Sequence, residues 1–342
     1  MTPATLNHKP INDANRLGLD YRLEARRFSY TGPIIDVHTH IGNIDAARLY
    51  FEVADLFGVT RTLSMTRLEN IDAINDEFGD RIEYIAVPNY EARDQPDTFT
   101  TDWLYRMEKF RERGCRIIKF WAAPRGRDLH PDAFHLDSPA RRESIRFAYD
   151  LGYRIFMTHV GDPDTWFATK YADAQKYGTK AEHLAQLEDL LDEYPDVTWI
   201  GAHMSGNPED LDFVQGILDR HPNYVIDTSA AKWQVRELSK HPQRFRELCE
   251  NNPGRILFGT DIVANHDLYD FDLYASRYWA LRTLIETDYV GPSPIVDPDL
   301  HMIDPTVDEK STARLCGAAV SGSALRSVYH DAAANLLQYP AD

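Results

Sequence analysis

Two histidines lie two residues apart at the end of a hydrophobic run, IIDVHTHI, which covers residues 34–41. Alternate residues of a β-strand point to the same side, so His38 and His40 are expected to present both imidazoles in one direction. Two imidazole nitrogens placed in this way suit a divalent metal ion. The pair alone is a weak motif, and the other polar residues of the chain must show whether it belongs to a metal site.

Further polar residues stand at the ends of later hydrophobic runs. His159 ends FMTHV, His203 ends IGAH, Asp261 ends LFGTD, and Lys119 lies near the end of IIKFW. Imidazole and carboxylate ligands suit zinc above all, although manganese and iron are also possible. A metal ion with one coordination position left for water would lower the pKa of that water to about 7. A nearby carboxylate could then take the proton of that water. The sequence therefore predicts one metal-dependent site.

The elements that must position these residues alternate regularly from residue 34 onward. Eight strands alternating with helices, several of them apolar on both faces, predict an α/β fold of the (β/α)8 TIM barrel type. A doubly wound sheet is the alternative, but no glycine-rich phosphate loop follows the first strand. The predicted strands are 34–41, 60–66, 82–88, 115–122, 153–160, 197–204, 223–229 and 255–262, and the predicted helices are 46–57, 68–78, 97–113, 139–151, 181–193, 208–220, 233–250, 271–287 and 323–338.

Barrel enzymes build their active sites at the carboxyl ends of the strands, where all the residues singled out above are expected. We predict an N-terminal extension over residues 1–33 and a barrel domain over residues 34–342. Two longer segments interrupt the alternation, 124–138 after the fourth strand and the Pro-, Asp- and Gly-rich 289–322. Such segments serve either as lids or as connections packed on the surface.

The overall charge and the cysteines exclude several classes of function. The 342 residues carry a formal net charge of −17, which argues against nucleic acid or an anionic membrane as partner. The chain contains neither an apolar run long enough to span a bilayer nor the apolar region of a signal peptide. Its three cysteines are far apart and form no metal or disulfide pattern. We expect a cytoplasmic protein with a small-molecule substrate, and a homodimer is a common assembly of such barrels.

Taken together, the motifs resemble those of the amidohydrolase superfamily. The resemblance rests on DxHxH at residues 36–40, the histidines of the fifth and sixth strands, the GTD of the eighth, and YHDAAANLL around Asn335. The spacing is most similar to the amidohydrolase-related branch, which includes aminocarboxymuconate-semialdehyde decarboxylase and related decarboxylases as well as hydrolases. The resemblance covers roughly residues 34–338 and implies the barrel fold.

The resemblance also implies roles for the site residues. It implies His38, His40, His159 and Asp261 around one divalent ion, with His203 as an acid/base or substrate-polarising group. Two-metal members of the superfamily use a carboxylated lysine on the fourth strand. Lys119 could bridge two ions in the same way. The number of metal ions per chain stays open, and one ion is favoured.

Three other residues could have either a structural or a functional role. Arg125 and Arg127, in the loop after the fourth strand, could hold a substrate carboxylate or lie on the surface. Asp36, two residues before His38, is interpreted as a structural residue rather than one that takes part in the chemistry.

Two reactions are compatible with this site. The favoured one is hydrolysis of a small organic substrate by metal-activated water, with Asp261 as proton acceptor and His203 polarising the scissile group. The alternative is non-oxidative decarboxylation, in which Asp261 or His203 protonates carbon. A decarboxylase needs cations for the substrate carboxylate, preferably arginine, and only Arg67 lies close to a strand end. A barrel that has lost catalysis is a third hypothesis, which the intact ligand set disfavours.

Overall fold

Nine parallel strands form one sheet in the computed structural model, which describes residues 11–95, 97–129 and 135–339. The strands are almost entirely buried, as expected for a parallel sheet that is covered on both faces. Their bounds are β1 Ile34–Ile41, β2 Val59–Ser64, β3 Ile82–Ala86, β4 Ile117–Trp121, β5 Ile155–His159, β6 Thr198–Gly201, β7 Tyr224–Asp227, β8 Ile256–Leu257 and β9 Ile262–Ala264.

The sheet closes on itself through the segment between β8 and β9. The strand order runs from β8 back to β1 and then to β9, so residues 258–261 connect the two ends of the sheet. Val37 N donates to Phe258 O at 2.9 Å, and Asp261 N donates to His38 O at 2.8 Å. Gly259 permits this approach, since an added Cβ would lie 3.0 Å from the Cβ of His38. The TIM barrel is confirmed, but the predicted strand 255–262 is divided by a bend.

Helices follow most strands and cover the outside of the barrel. The predicted helix 233–250 is two helices, because Pro242 starts a new one after a turn at residues 239–241. The helix predicted from residue 208 begins at Leu211, where the Asp210 carboxylate accepts from Phe213 N at 2.9 Å. The α-helices are Tyr21–Glu24, Ile44–Leu56, Ile71–Phe78, Thr101–Glu112, Pro139–Asp150, Asp164–Ala168, Ala174–Tyr177, Lys180–Glu193, Leu211–Arg220, Ala231–Leu238, Pro242–Asn251, Phe271–Glu286, Asp299–Ile303, Gly322–Arg326 and Ala332–Leu336. Ala202–Ser205 is a turn with a left-handed backbone and not an α-helix.

Short turns of other helix types complete these elements. The predicted terminal helix 323–338 is interrupted by a π-helical turn at Ser327–Asp331. Single 3-10 turns occur at Ala25–Arg27, Leu68–Asn70, Tyr90–Ala92 and Pro124–Asp128. Over the described ranges, no helix combines the length and the apolar character needed to cross a membrane.

The segment 289–322 is a folded element rather than a plain connection. It contains an antiparallel hairpin, β10 Val290–Val296 and β11 Thr312–Cys316. The N-terminal extension pairs with this hairpin, since Arg16 N donates to Pro294 O at 2.8 Å and Val296 N donates to Asp13 O at 2.9 Å. Of the predicted loop 124–138, residues 130–134 lie outside the described residues, as do 1–10, 96 and 340–342. The division into an extension and a barrel domain at residue 34 stays a prediction.

A closed polar network lies between β1 and two of the helices that cover the barrel. The buried Asp36 carboxylate accepts from Thr260 Oγ1 at 2.7 Å, from Tyr278 OH at 2.9 Å and from Tyr50 OH at 3.3 Å. Burial raises the pKa of Asp36 to about 7, although these hydroxyl groups and two backbone N–H groups lower it in part. We call these four side chains the Asp36 network. The network joins β1 to the closing segment and to two helices, which agrees with a structural role for Asp36.

Candidate metal centre

Three side chains with metal-binding atoms converge at the rim of the barrel. His40 Nε2 lies 3.1 Å and His38 Nε2 lies 3.5 Å from Asp261 Oδ1. The three ligand atoms all lie within 4.8 Å of one another. His40 and Asp261 are partly open, at 37% and 30% side-chain exposure, whereas His38 is buried. Two imidazoles and one carboxylate are a donor set that fits a borderline divalent ion, and we call these residues the donor cluster.

His38 is oriented from behind by a carboxylate that the sequence analysis did not single out. Its Nδ1–H donates to Asp227 Oδ2 at 2.7 Å, which leaves Nε2 as the ligand atom. A carboxylate behind a ligating histidine is the usual arrangement that fixes the imidazole tautomer. Asp227 ends β7 in YVIDTS, so the rule that found the other strand-end residues would also have found Asp227.

His203 belongs to the same buried network. Asp227 Oδ1 accepts from His203 N at 2.8 Å and also from the hydroxyl of Ser229. Because that hydroxyl has given its only proton to Asp227, its 2.7 Å contact with His203 Nδ1 makes Nδ1–H the donor. A neutral His203 therefore keeps an unprotonated Nε2, and the ring lines the cavity described below. His203 can accept a hydrogen bond or a proton there, but it cannot donate one.

His159 lies next to His203 but outside the donor cluster. The ring centroids of the two histidines are 4.5 Å apart. His159 Nε2 is hydrogen-bonded to Asp162 Oδ1 at 2.8 Å, and Asp162 Oδ2 accepts from Tyr171 OH at 2.5 Å. Only Nδ1 of His159 remains as a ligand atom in this arrangement. Its role as the fourth ligand stays a prediction.

The local charges fix the protonation states of the centre. Burial alone would raise the pKa of Asp261, but the hydrogen bond from His40 and the neighbouring imidazoles hold that pKa far below its usual range. The pKa of Asp227 is low for a similar reason, with His38 as its main partner. Burial lowers the pKa of both His38 and His203. Ionised Asp261 and Asp227 carboxylates and neutral His38 are therefore favoured, which are the forms that bind or support a metal ion.

Lys119 is buried at the carboxyl end of β4, and its amine points to no partner. Nζ has no hydrogen bond to any described residue. Burial lowers the pKa of Lys119 to about 8, whereas Asp227 and Asp261 act in the opposite direction. Lys119 lines the cavity beside the donor cluster, as the sequence predicts.

The arginines that the sequence analysis considered for a substrate carboxylate differ in their position relative to the cavity. Arg125 is exposed at the cavity wall, with its guanidinium 5.3 Å from the ring centre of Trp121. Arg127 does not line the cavity, and its Nε contacts His135 Nε2 at 2.6 Å. Arg67 lines the cavity and forms an ion pair with Glu91.

A cavity of about 660 Å³ opens above the donor cluster. Its walls are rich in aromatic rings, among them Tyr90, Trp121, Trp166 and Trp233. Asp299, from the segment between β10 and β11, accepts from Trp166 Nε1 at 2.8 Å and from Trp233 Nε1 at 3.1 Å. The hairpin segment therefore fixes two of these rings, and it forms a wall of the cavity.

Three cavity residues have a left-handed backbone although none is a glycine. They are His203 with φ 57°, Ala230 with φ 66° and Asp261 with φ 59°, each of which follows a strand of the barrel. Such conformations cost about 1–3 kcal/mol each and cluster at functional sites. The fold sustains this strain at the strand ends where the donor cluster and its neighbours lie.

The comparison with protein families is decisive for the class of protein. Residues 92–338 match the sequence model of the amidohydrolase family. The chain belongs to the amidohydrolase family. The matched range contains His159, His203 and Asp261, while the HxH pair lies before it and is brought to the site by β1. The predicted resemblance to the superfamily is confirmed.

Solved structures show weaker likenesses, and no curated protein sequence matched the chain. An apo structure from Agrobacterium tumefaciens has 14% identity, a TM-score of 0.45, and covers 73% of this chain and 88% of its own. A 2,6-dihydroxybenzoate decarboxylase in complex with 2,6-dihydroxybenzoate has 15% identity, a TM-score of 0.43, and covers 80% and 96%. A 5-carboxyvanillate decarboxylase from Novosphingobium aromaticivorans, with manganese and a nitrobenzoic acid derivative, has 10% identity, a TM-score of 0.46, and covers 73% and 90%.

Proposed function

We propose that this protein is a metal-dependent hydrolase of a small organic carboxylate. The observation that carries the proposal is the placement of Asp261. Its carboxylate touches both histidines of the HxH pair, while 30% of the side chain stays open to the cavity. A carboxylate in that position can hold an ion and also reach a water molecule beside it.

The donor cluster fits one divalent ion, and zinc is our first choice. His38, His40 and Asp261 would hold the ion, with Nδ1 of His159 as a further candidate. An ion bound there would act as a Lewis acid and would make water a nucleophile near neutral pH.

The side chains of the protein supply the remaining steps. Asp261 accepts the proton of the attacking water and returns it to the leaving group. His203 Nε2 accepts a hydrogen bond and orients the water, because its Nδ1–H is already given to Ser229. This replaces the polarising donor role that we expected of His203 from the sequence.

The charge of the cavity supports an anionic substrate. Among the described residues, seven cationic side chains and five acidic ones line the cavity, in a chain whose net charge is −17. Two of these cations, Lys232 and Arg277, come from helices that follow the strands. The cationic lining residues are Arg67, Arg93, Lys119, Arg125, Lys170, Lys232 and Arg277.

The same cations make decarboxylation the second candidate. The sequence argument against it was the shortage of cations near the strand ends, and the cavity removes that argument. Hydrolysis stays first because decarboxylation needs a group that delivers a proton to carbon. Neutral His203 offers only an acceptor at Nε2, because its Nδ1–H is given to Ser229.

Isotope labelling separates the two reactions. Metal-loaded protein would be screened against esters, lactones and amides that carry a carboxylate, and against simple carboxylic acids. Turnover in ¹⁸O-labelled water should place the label in a new carboxylate or hydroxyl group. Carbon dioxide released in deuterated water, with deuterium on the vacated carbon, would reject hydrolysis in favour of decarboxylation.

We also retain the predicted cytoplasmic location and the small-molecule partner as proposals. All three cysteines, Cys115, Cys249 and Cys316, are free thiols, which supports a reducing compartment.

A further inference from the structure

Two cations on the cavity wall, Lys232 and Arg277, have no carboxylate partner. Lys232 lies in the first turn of Ala231–Leu238, and Arg277 lies in Phe271–Glu286. Within the described ranges no acidic oxygen forms an ion pair with either side chain, and the Arg277 guanidinium donates to Ser276 Oγ at 2.9 Å. Both side chains are partly buried. Cations that lose part of their contact with water are usually compensated by a partner, and a ligand could supply one here.

The acidic groups near these cations are already bonded elsewhere. Arg236 Nη1 lies 2.5 Å from Asp297 Oδ2 and 3.2 Å from Asp299 Oδ2. Asp299 also accepts from the two tryptophan Nε1 groups described above. Asp270 caps its own helix by accepting from Leu273 N at 2.6 Å. Asp297 and Asp299 raise the pKa of Lys232, and Tyr21, Asp261 and Asp270 raise the pKa of Arg277, but none of these groups forms an ion pair with either cation among the described residues.

Lys232 and Arg277 are also close enough to repel each other. Burial is the main cause that lowers the pKa of Lys232, and the charge of Arg277 lowers it further. Burial likewise lowers the pKa of Arg277, to about 10. Two partly desolvated cations that face the same cavities cost free energy, and an anion bound to them would offset that cost.

The two cations stand where the main cavity meets a second one. Lys232, Arg277 and Pro298 line both the main cavity and a neighbouring cavity of about 720 Å³. Trp233, next to Lys232 in the chain, lines the main cavity as well. A small anion can therefore reach the two cations from the same space that opens above the donor cluster.

We infer that Lys232 and Arg277 form an anion subsite that binds a carboxylate group of the substrate. The fork of an arginine matches the two oxygens of a carboxylate, and a lysine adds a compact second charge. The inference deepens the proposed function and rests on it for the identity of the substrate. It assigns to these helix residues the role that the sequence analysis considered for Arg125 and Arg127.

The test is a binding measurement with benzoate and with its uncharged counterpart benzamide. The aromatic walls of the cavity accept a planar ring, and tryptophan fluorescence or calorimetry reports binding. Wild type should bind benzoate more tightly than benzamide. Lys232→Met and Arg277→Met should each weaken benzoate binding by about tenfold or more and leave benzamide binding within twofold. Arg277→Lys keeps the positive charge and should therefore lose less benzoate affinity than Arg277→Met.

Arg125→Gln is the matched control, because Arg125 lines the same cavity but is exposed. It should bind benzoate within twofold of wild type. Acetate should compete with benzoate in wild type but not in Arg277→Met. The inference is overturned if Arg125→Gln no longer binds benzoate while the Lys232 and Arg277 variants bind it as wild type does. Equal binding of benzoate and benzamide by the folded wild type would overturn it too.

The readout separates this inference from the proposed reaction. All variants should retain the metal content of wild type, measured by elemental analysis, because neither cation belongs to the donor cluster. If hydrolysis is rejected by the labelling experiment, a charge-dependent benzoate site still stands. If the benzoate site fails, the assignments of His38, His40 and Asp261 are untouched.

Discussion

The Asp36 network and the donor cluster both include residues of β1 and of the closing segment 258–261, yet they differ in one respect. In the Asp36 network, hydroxyl and backbone N–H groups hydrogen-bond the carboxylate, and the whole group is closed to solvent. In the donor cluster, His40 and Asp261 keep an exposed surface that faces a cavity. Both carboxylates experience the desolvation of burial, which raises a pKa, but only Asp261 has imidazole partners that reverse the effect.

This difference shows how a polar group inside a barrel can be assigned a role. A carboxylate whose hydrogen-bonding capacity is fully used by neutral partners holds elements together. A carboxylate that keeps an open oxygen beside nitrogen ligands can bind an ion. The following substitutions test the distinction, from the largest expected effect to the smallest.

Removal of one ligand should abolish stoichiometric metal binding. His40→Ala is the cleanest variant, because His40 is partly exposed, whereas His38→Ala would also remove the imidazole partner of the buried Asp227 Oδ2. We expect metal affinity to fall by more than about 100-fold in either variant, beyond the effect of changing a supporting residue. Elemental analysis after dialysis measures the loss, with the exposed His241→Ala as control. Full metal content in both ligand variants would reject the ligand assignment.

A change in the Asp36 network should affect stability instead of metal. Asp36→Ala leaves the buried hydroxyls of Thr260, Tyr50 and Tyr278 without their common acceptor, and we expect a loss of about 2–5 kcal/mol in the free energy of unfolding. Urea unfolding measures the loss. The folded fraction should still bind one equivalent of metal, and a metal-free but normally stable variant would contradict the distinction drawn above.

Asp227→Asn should have a smaller effect that falls on metal affinity. The amide can donate to His38 Nδ1 and so favour the tautomer that carries its proton on Nε2, the ligand atom. We expect an affinity loss of about 10–100-fold, measured by competition with a chelator. Asp36→Asn makes the same chemical change in the Asp36 network and should leave the affinity unchanged. Equal losses in the two variants would show that metal affinity follows general stability.

Lys119→Met should have the smallest effect on the metal. Lys119 makes no hydrogen bond to the described residues and does not belong to the donor cluster, so near-stoichiometric metal should remain. The variant should also unfold no more easily than wild type, since it removes a buried charge without a partner. Elemental analysis and a thermal melt measure the two properties. Two tightly bound ions in wild type, with one lost in Lys119→Met, would establish a two-metal centre with a bridging lysine.

The site residues at the strand ends were predictable because the sequence pattern that marks them is local. A β-branched run followed by a histidine or an aspartate marks the carboxyl end of a parallel strand, and the barrel then places these residues on one rim. The rule found His38, His40, His203 and Asp261. It would have found Asp227 as well, had the aspartate of YVIDTS been considered as a site residue.

Other features depend on contacts between distant parts of the chain. Lys232 and Arg277 lie on helices, so nothing in their local pattern places them in a cavity with β1. The bend that separates β8 from β9 arises from closure against β1, and periodicity does not detect it. Pro292 and Pro294 obscured the hairpin strand β10, because prolines are unusual inside strands other than edge strands. The break before Pro242 was visible in the sequence and was overlooked.

The hairpin between residues 290 and 316 has a consequence for how this protein can diverge. The donor cluster lies on β1 and on the segment before β9, whereas Asp299, which fixes two tryptophans of the cavity, lies between the hairpin strands. Insertions, deletions and substitutions in that stretch of chain can reshape the cavity without changing a single metal ligand. Descendants of this sequence can therefore exchange one substrate for another while they inherit the same reactive centre.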